Sequence, residues 1–295
     1  MYFNSNTIIF INGEFRKAEE VTTNLYAQTL HYGNGVFEGI RAYDTDDGIR
    51  IFKAKEHYDR LHYSAKQMHI PLPYSSEELE QISYQLLEKN GLADAYIRPL
   101  VFMDENMSLT SNSEANVAIM VWEWGNYLGN EMLSVTLSSY QRPNPKSCPV
   151  EAKIIGHYTN SILATNEAKA KGFDEALLTD QNGYIAEGSG ANFFIEKNDR
   201  LFTAPLGNIL AGITRATVLE LAQELGIEVE EKLFTPEEIY TADAAFFCGT
   251  AAEIIGLKQF DDYTFPKPWE ETNSATLQRM YKYRVAKNEY QHVYL

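Results

Sequence analysis

Cysteine is scarce: Cys148 and Cys248 are the only two in 295 residues. Neither has a second cysteine at CxxC spacing, which excludes a paired zinc or dithiol motif and gives no disulfide framework; both thiols are expected to be reduced. Positive charge is the second shortage, with 25 Lys and Arg against 41 Asp and Glu, a formal net charge of −16 and a sequence pI near 4.8. Such a surface repels phosphate backbones and anionic lipid, so nucleic acid and membrane surfaces are poor partners. A small anion needs only local donors and is not excluded. Long uncharged apolar runs are also missing, and the opening MYFNSNTIIFINGEF has no basic start leading into an apolar core. No bilayer span and a cytoplasmic setting are therefore expected. The six histidines, His31, His57, His62, His69, His157 and His292, never fall into HExxH spacing, so no metal site is expected.

What is present describes a folded enzyme-sized chain. Apolar residues make up 44% and charged residues 22%, the balance of a globular protein long enough for two domains. Asn12-Gly13 between apolar runs signals a hairpin. A strand is expected over 36–43, following Gly33 and Gly35, and then a helix in which Tyr58, Leu61, Ala65 and Met68 recur at helical spacing. His57, Arg60 and Ser64 share another face of that helix. Pro71 and Pro73 end it, Ser75 or Ser76 caps the next, and Gly91 closes that one. Strands over 95–103 and 116–124 complete a β-β-α-α-β-β order, which predicts a small α+β domain over 1–124 with a largely antiparallel sheet. Breakers at 125–131 suggest a linker, leaving 132–295 as a larger mixed α/β domain.

The larger half carries the chemistry-bearing residues. Lys153 opens an apolar turn before a helix expected to be capped by Thr159 and stopped by Gly172, which places it half-buried. A lysine amine kept neutral by such surroundings can attack a carbonyl and form a Schiff base. Glu187 ends a strand beside the small-residue loop GSGAN, where backbone can approach a ligand closely. Gly212 precedes a helix over 213–225, so the first-turn N–H groups and the positive end of the dipole favour a phosphate. The loop Gly249-Thr250-Ala251 after an apolar strand is a second candidate anion cup.

The wording and order of the motifs resemble a known family. Lys153 to Asn160 with Ser161-Ile162-Leu163-Ala164, then Asp174-Glu175-Ala176-Leu177, Asn182-Gly183-Tyr184, Glu187-Gly188, Asn192-Phe193-Phe194, Gly212-Ile213-Thr214-Arg215 and Gly249-Thr250-Ala251-Ala252-Glu253 are similar to the branched-chain amino acid aminotransferases. HYGNGVFEGIRAY, HYDRLHYSAK and AYIRPL in the first half match as well. The resemblance implies a two-domain α+β fold of fold type IV, like the D-amino acid aminotransferases, and pyridoxal 5′-phosphate as cofactor. It implies transfer of an amino group between leucine, isoleucine or valine and 2-oxoglutarate.

By position the resemblance makes Lys153 the amine that meets the cofactor aldehyde and shuttles the proton. Glu187 would pair with the pyridine nitrogen and Tyr158 with the phenolic oxygen. Arg60, Ile213, Thr214 and Thr250 would hold the phosphate. Tyr32, Phe37, Trp124 and Tyr127 would form apolar walls for the substrate, with Tyr96, Thr250 and Ala251 near its α-carboxylate and Arg98 meeting a second carboxylate. At least a homodimer is implied. The alternatives are a D-amino acid aminotransferase or aminodeoxychorismate lyase of the same fold, or a non-catalytic relative acting as a binding protein; the Tyr96-Ile97-Arg98 run and the GVFEGIR strand favour the branched-chain reading.

Overall fold

The structure is a computed structural model, and it describes residues 2–110, 114–123 and 132–286. Trp124, Tyr127 and the expected linker 125–131 lie outside the described residues. The chain divides into two compact units, one drawn from Met1–Gly125, Ala152–Gly156 and Val285–Leu295, the other from Asn126–Glu151 and His157–Arg284.

The first unit is built on an antiparallel sheet. Asn12 and Gly13 take positive φ (49° and 93°), the conformation a two-residue hairpin turn requires, and join strands Ile8–Ile11 and Glu14–Lys17. Spatially the strands run Glu14–Lys17, Ile8–Ile11, Ala115–Trp122, Ala95–Met103, Ile40–Thr45 and Gly48–Ile51, with Gly35–Phe37 also paired to Ala95–Met103. Helices Ala54–Gln67 and Ser76–Asn90 cover the sheet. Tyr58, Leu61 and Ala65 from the first, and Leu79, Leu86 and Leu87 from the second, share a core with Ile40, Ile97, Val101 and Ile119. Each such leucine contributes roughly 1.5–3 kcal/mol through its removal from water. The second helix starts at a capping box between Ser75 and Glu78 and stops at Gly91 in the left-handed region.

Two expectations change here. The strand expected over 36–43 breaks at Glu38 and Gly39. The Glu38 N–H donates to the Pro99 carbonyl at 2.9 Å, but Pro99 has no N–H to return, so the ladder restarts as Ile40–Thr45 pairs with Ala95, Tyr96 and Ile97. The second change concerns Ala152–Gly156, which contacts place in the first unit rather than with the rest of 132–295. Ile154 bridges to Val36, the Phe37 N–H donates to the Lys153 carbonyl at 3.2 Å, and Ala152 and Ile154 join the core just described. A short helix, Gln28–Tyr32, was not expected from the sequence.

In the second unit the strands run Ile185–Gly188, Glu175–Thr179, Leu133–Gln141, Glu253–Phe260, Ala244–Gly249, Asn192–Lys197, Arg200–Thr203 and Val229–Glu231. Pairing of Glu187 with Asn192 joins the first of these to the sixth, so six strands close into a ring. Leu133–Gln141 is parallel to both of its neighbours and most other pairs are antiparallel, which makes this the mixed sheet. Its interior packs Val135, Leu177, Ile185, Phe193, Phe247 and Leu257. Strand Glu253–Phe260 escapes sequence reading because Gly256 interrupts its β-branched pattern; a Cβ there would lie 2.9 Å from the Trp269 ring.

Helix Tyr158–Ala170 lies against this sheet. Its cap is His157, which itself has α-helical angles, so Thr159 stands inside the helix instead of capping it. The 3-10 turn Ile155–His157 leads directly into the helix and removes the need for a side-chain cap. Gly172, with φ of 85°, stops it as expected. Helix Ile213–Glu224 begins after Gly212 and buries Val218, Leu221 and Ala222.

Candidate active site

Within the first unit, the break at Glu38 and the polar face of helix Ala54–Gln67 bring several charged groups together. Lys153 is half-buried; its backbone N–H donates to Ser64 Oγ at 2.9 Å, and its Nζ stands 5.1 Å from the centre of the Phe37 ring. The Arg98 guanidinium lies over three aromatic rings, Phe37 at 4.7 Å, Tyr96 at 5.3 Å and Trp122 at 5.9 Å. Arg98 also donates to the Tyr96 hydroxyl at 3.3 Å. That hydroxyl sits over Gly39, where a Cβ would overlap it. Strand register explains the grouping: Tyr96 faces Trp122 directly, and alternation puts Arg98 on the same face as Tyr96. Trp122 was missed in the sequence, although its parity with the expected Trp124 was available.

Arg60, expected to meet a phosphate, makes a two-pronged pair with Glu38, Nε to Oε1 at 2.6 Å and Nη2 to Oε2 at 2.8 Å. Burial alone would raise the Glu38 carboxyl, but the Arg60 guanidinium beside it, helped by His57, holds it well below the usual carboxylate range. Tyr32 is largely exposed and its hydroxyl donates to the Met107 carbonyl at 3.4 Å.

Within the second unit, Glu187 is 4% exposed and held by neighbouring donors. Arg142 Nε lies 2.9 Å from Oε1, an ion pair out of hydrogen-bonding line. The Leu210 N–H donates to the same oxygen at 3.1 Å, and Asn192 Nδ2 donates to Oε2 at 3.0 Å. Asn192 also donates to the Leu210 carbonyl at 3.1 Å. Its Oδ1 crowds the backbone at Gly212, where a Cβ would overlap it. The carboxylate and the glycine that opens helix Ile213–Glu224 are thus tied through one amide. Ile213 is the first residue of that helix and Thr214 is buried in its first turn. Thr250 and Ala251, both half-buried, follow strand Ala244–Gly249. Tyr158 opens helix Tyr158–Ala170 and is half-buried.

Sequence reading missed Arg142 and Asn192. The signal for Asn192 was its register opposite Glu187 across the GSGAN turn; Arg142 had none, because its partner lies on a distant strand. Cys248 is a buried strand residue whose thiol burial pushes up, which makes it a packing group.

The family described as "Amino-transferase class IV" matches residues 35–260. The chain belongs to the class IV aminotransferases. Among curated relatives of this class IV aminotransferase, the branched-chain-amino-acid aminotransferase of Pseudomonas aeruginosa is 44% identical over 260 residues, spanning 86% of this chain and 85% of the relative. That of Escherichia coli K12 is 41% identical over 261 residues, with 86% and 84% covered. A solved branched-chain aminotransferase from the archaeon Thermoproteus uzoniensis, with norvaline, matches 96% of each chain at TM-score 0.92 and 38% identity. The branched-chain amino acid aminotransferase from Thermobaculum terrenum, solved in its PLP-bound holo-form, matches 96% of this chain and 95% of that one, at TM-score 0.89 and 31% identity.

Proposed function

We infer that the chain is a branched-chain amino acid aminotransferase dependent on pyridoxal 5′-phosphate, moving the amino group between leucine, isoleucine or valine and 2-oxoglutarate. The observation that carries the substrate reading is Arg98 held over Phe37, Tyr96 and Trp122 in the unit that also holds the Lys153 amine. Aromatic walls receive an aliphatic side chain, and a guanidinium set among them receives the second carboxylate of glutamate.

The residues present fit the cofactor. An amine, a buried carboxylate, a phenol and a guanidinium are the groups that an aldehyde, a pyridine nitrogen, a phenolic oxygen and a phosphate call for. A helix N-terminus opened by a glycine supplies further phosphate donors. When bound, the cofactor supplies an electron sink for the pair released from the substrate Cα–H bond. Lys153 Nζ would take that α-proton and hold it for return. Glu187 would accept from the ring nitrogen and keep a proton there, while Arg142, Asn192 and the Leu210 N–H hold its carboxylate in place. Tyr158 donates to the phenolic oxygen. Arg60, the first-turn N–H groups of Ile213 and Thr214, and the Thr250 hydroxyl bind the phosphate. Tyr96, Thr250 and Ala251 orient the substrate α-carboxylate, and Tyr32 and Phe37 wall the side chain; Trp124 and Tyr127, which the resemblance adds to that wall, lie outside the described residues.

A homodimer completes the reading. Leu25, Tyr26, Leu30, Met107 and Leu109 are all exposed large apolar side chains. Their two segments are tied by the Asn106 N–H to the Tyr26 carbonyl and by the Ala27–Glu105 bridge. An apolar patch of this kind suits a second copy of the chain. No helix among the described residues is long and apolar enough to cross a membrane, and two free thiols accord with a cytoplasmic setting.

The test is a half-reaction on the purified holoenzyme. L-leucine should abolish the visible band of the bound cofactor and 2-oxoglutarate should restore it. Release of pyruvate without any 2-oxo acid acceptor would overturn the transaminase reading in favour of a lyase.

A further inference from the structure

Glu38 has no role in the reaction as derived above, yet it is fully buried. Both of its oxygens face helix Ala54–Gln67. Oε1 accepts from Arg60 Nε at 2.6 Å; Oε2 accepts from Arg60 Nη2 at 2.8 Å and from the Gly39 N–H at 3.2 Å. Oε2 also lies 2.8 Å from His57 Nδ1, and His57 is 2% exposed. Burial lowers His57, against the pull of Glu38. Because its neighbour is a carboxylate, His57 Nδ1 is the protonated nitrogen and donates.

The spacing has a purpose on a helix. His57, Arg60 and Ser64 recur at three and four residues, so one face presents all three. Ser64 fixes the Lys153 backbone. Arg60, one turn earlier, has a long side chain whose rotamers would otherwise be many; a two-pronged carboxylate removes that freedom and sets the guanidinium plane. A buried carboxylate is an expensive way to do this, since it offsets part of the positive charge that an incoming anion would feel. Its gain lies in orientation: with Nε and Nη2 engaged, the plane of the guanidinium is determined by the fold rather than by the ligand.

We propose that Glu38, braced by His57, is a positioning residue that aims Arg60 at the phosphate monoester of the cofactor. The proposal rests on the reading that Arg60 binds that phosphate. Glu38→Gln keeps the shape but replaces one acceptor oxygen with an amide that faces an arginine N–H.

The experiment measures dissociation constants of the full-length apoenzyme for pyridoxal 5′-phosphate and for pyridoxal, which lacks the phosphate, by protein fluorescence. Glu38→Gln is expected to weaken pyridoxal 5′-phosphate by about 10- to 100-fold, the scale of lost support behind a binding group, and pyridoxal by less than about 2-fold on the same grounds. Equal weakening of both compounds, or of neither, overturns the proposal. Arg60→Met separates the two layers. If it leaves the phosphate preference intact, the reading of Arg60 itself fails; if it removes the preference while Glu38→Gln does not, only the proposal for Glu38 fails. Should Glu38→Gln not fold, His57→Gln carries the test, with an expected loss of about 3-fold in the phosphate preference, a smaller share of the same support, and an unchanged preference overturning the proposal.

Discussion

Glu38 and Glu187 are both buried carboxylates with an arginine beside them, one in each unit, and they are held by different means. Glu38 meets Arg60 through two aligned hydrogen bonds from one helix, 22 residues along the chain. Glu187 pairs with Arg142 out of hydrogen-bonding line, and accepts from a neighbouring amide and a backbone N–H. A carboxylate locked by a guanidinium fork serves to orient the cation. One held by a side-chain amide and a backbone N–H is fixed in place by donors of its own unit. On the reading proposed above, the same residue type serves as support in one place and in the chemistry in the other.

That contrast can be broken in four ways. The largest effect belongs to neither carboxylate: on the proposed reading Lys153 carries the proton, so Lys153→Ala should slow the leucine half-reaction by roughly four orders of magnitude or more; stopped-flow absorbance would measure it, and a rate near wild type would remove the lysine from the mechanism. Glu187→Gln should lower the same rate by about 100-fold with the protein still folded, the scale of one lost electrostatic group. A smaller loss than that of Glu38→Gln would reverse the roles assigned above. Arg142→Met, measured by urea unfolding, should cost about 3 kcal/mol, since it leaves a buried charge without its counter-ion.

The fourth way uses pH. Glu38 is held below its ordinary value near 4.5, chiefly by Arg60 acting against burial. Its stabilisation is therefore complete above that value and is lost as pH falls through the lower folded one. The stability gap between wild type and Glu38→Gln should be widest at neutral pH and narrow on acidification below about 4; thermal unfolding across pH checks this, and a gap constant with pH would deny the pair its charge.

Much of the first unit was legible because its signals are local. Asn12-Gly13, a serine cap at Ser75 or Ser76, and the stripe of Tyr58, Leu61 and Ala65 act over a few residues, and the structure keeps each of them, with Ser75 as the cap. The breaks came where a distant partner decides. Glu38 and Gly39 leave the strand because Pro99, far along the chain, has no N–H to offer. Gly256 hides a central strand because a ring from Trp269 needs its space. At the candidate site the charge-bearing residues were visible as types, Lys153 and Glu187 among them. What fixes them was not: Arg142 reaches Glu187 from the end of strand Leu133–Gln141, and no window of sequence contains both.

The excursion of Ala152–Gly156 into the first unit bears on how the protein is made. A chain emerging from the ribosome can form the hairpin, both helices and most of the antiparallel sheet as soon as the strand ending at Trp122 is out. It cannot seal that core until Ala152 and Ile154 arrive, well after that strand. Until then Val36 lacks its bridge and Ser64 lacks the backbone it will anchor. A fragment cut at the apparent boundary should therefore be sticky rather than native, since Ala152 and Ile154 supply part of the core of the strands and helices before them.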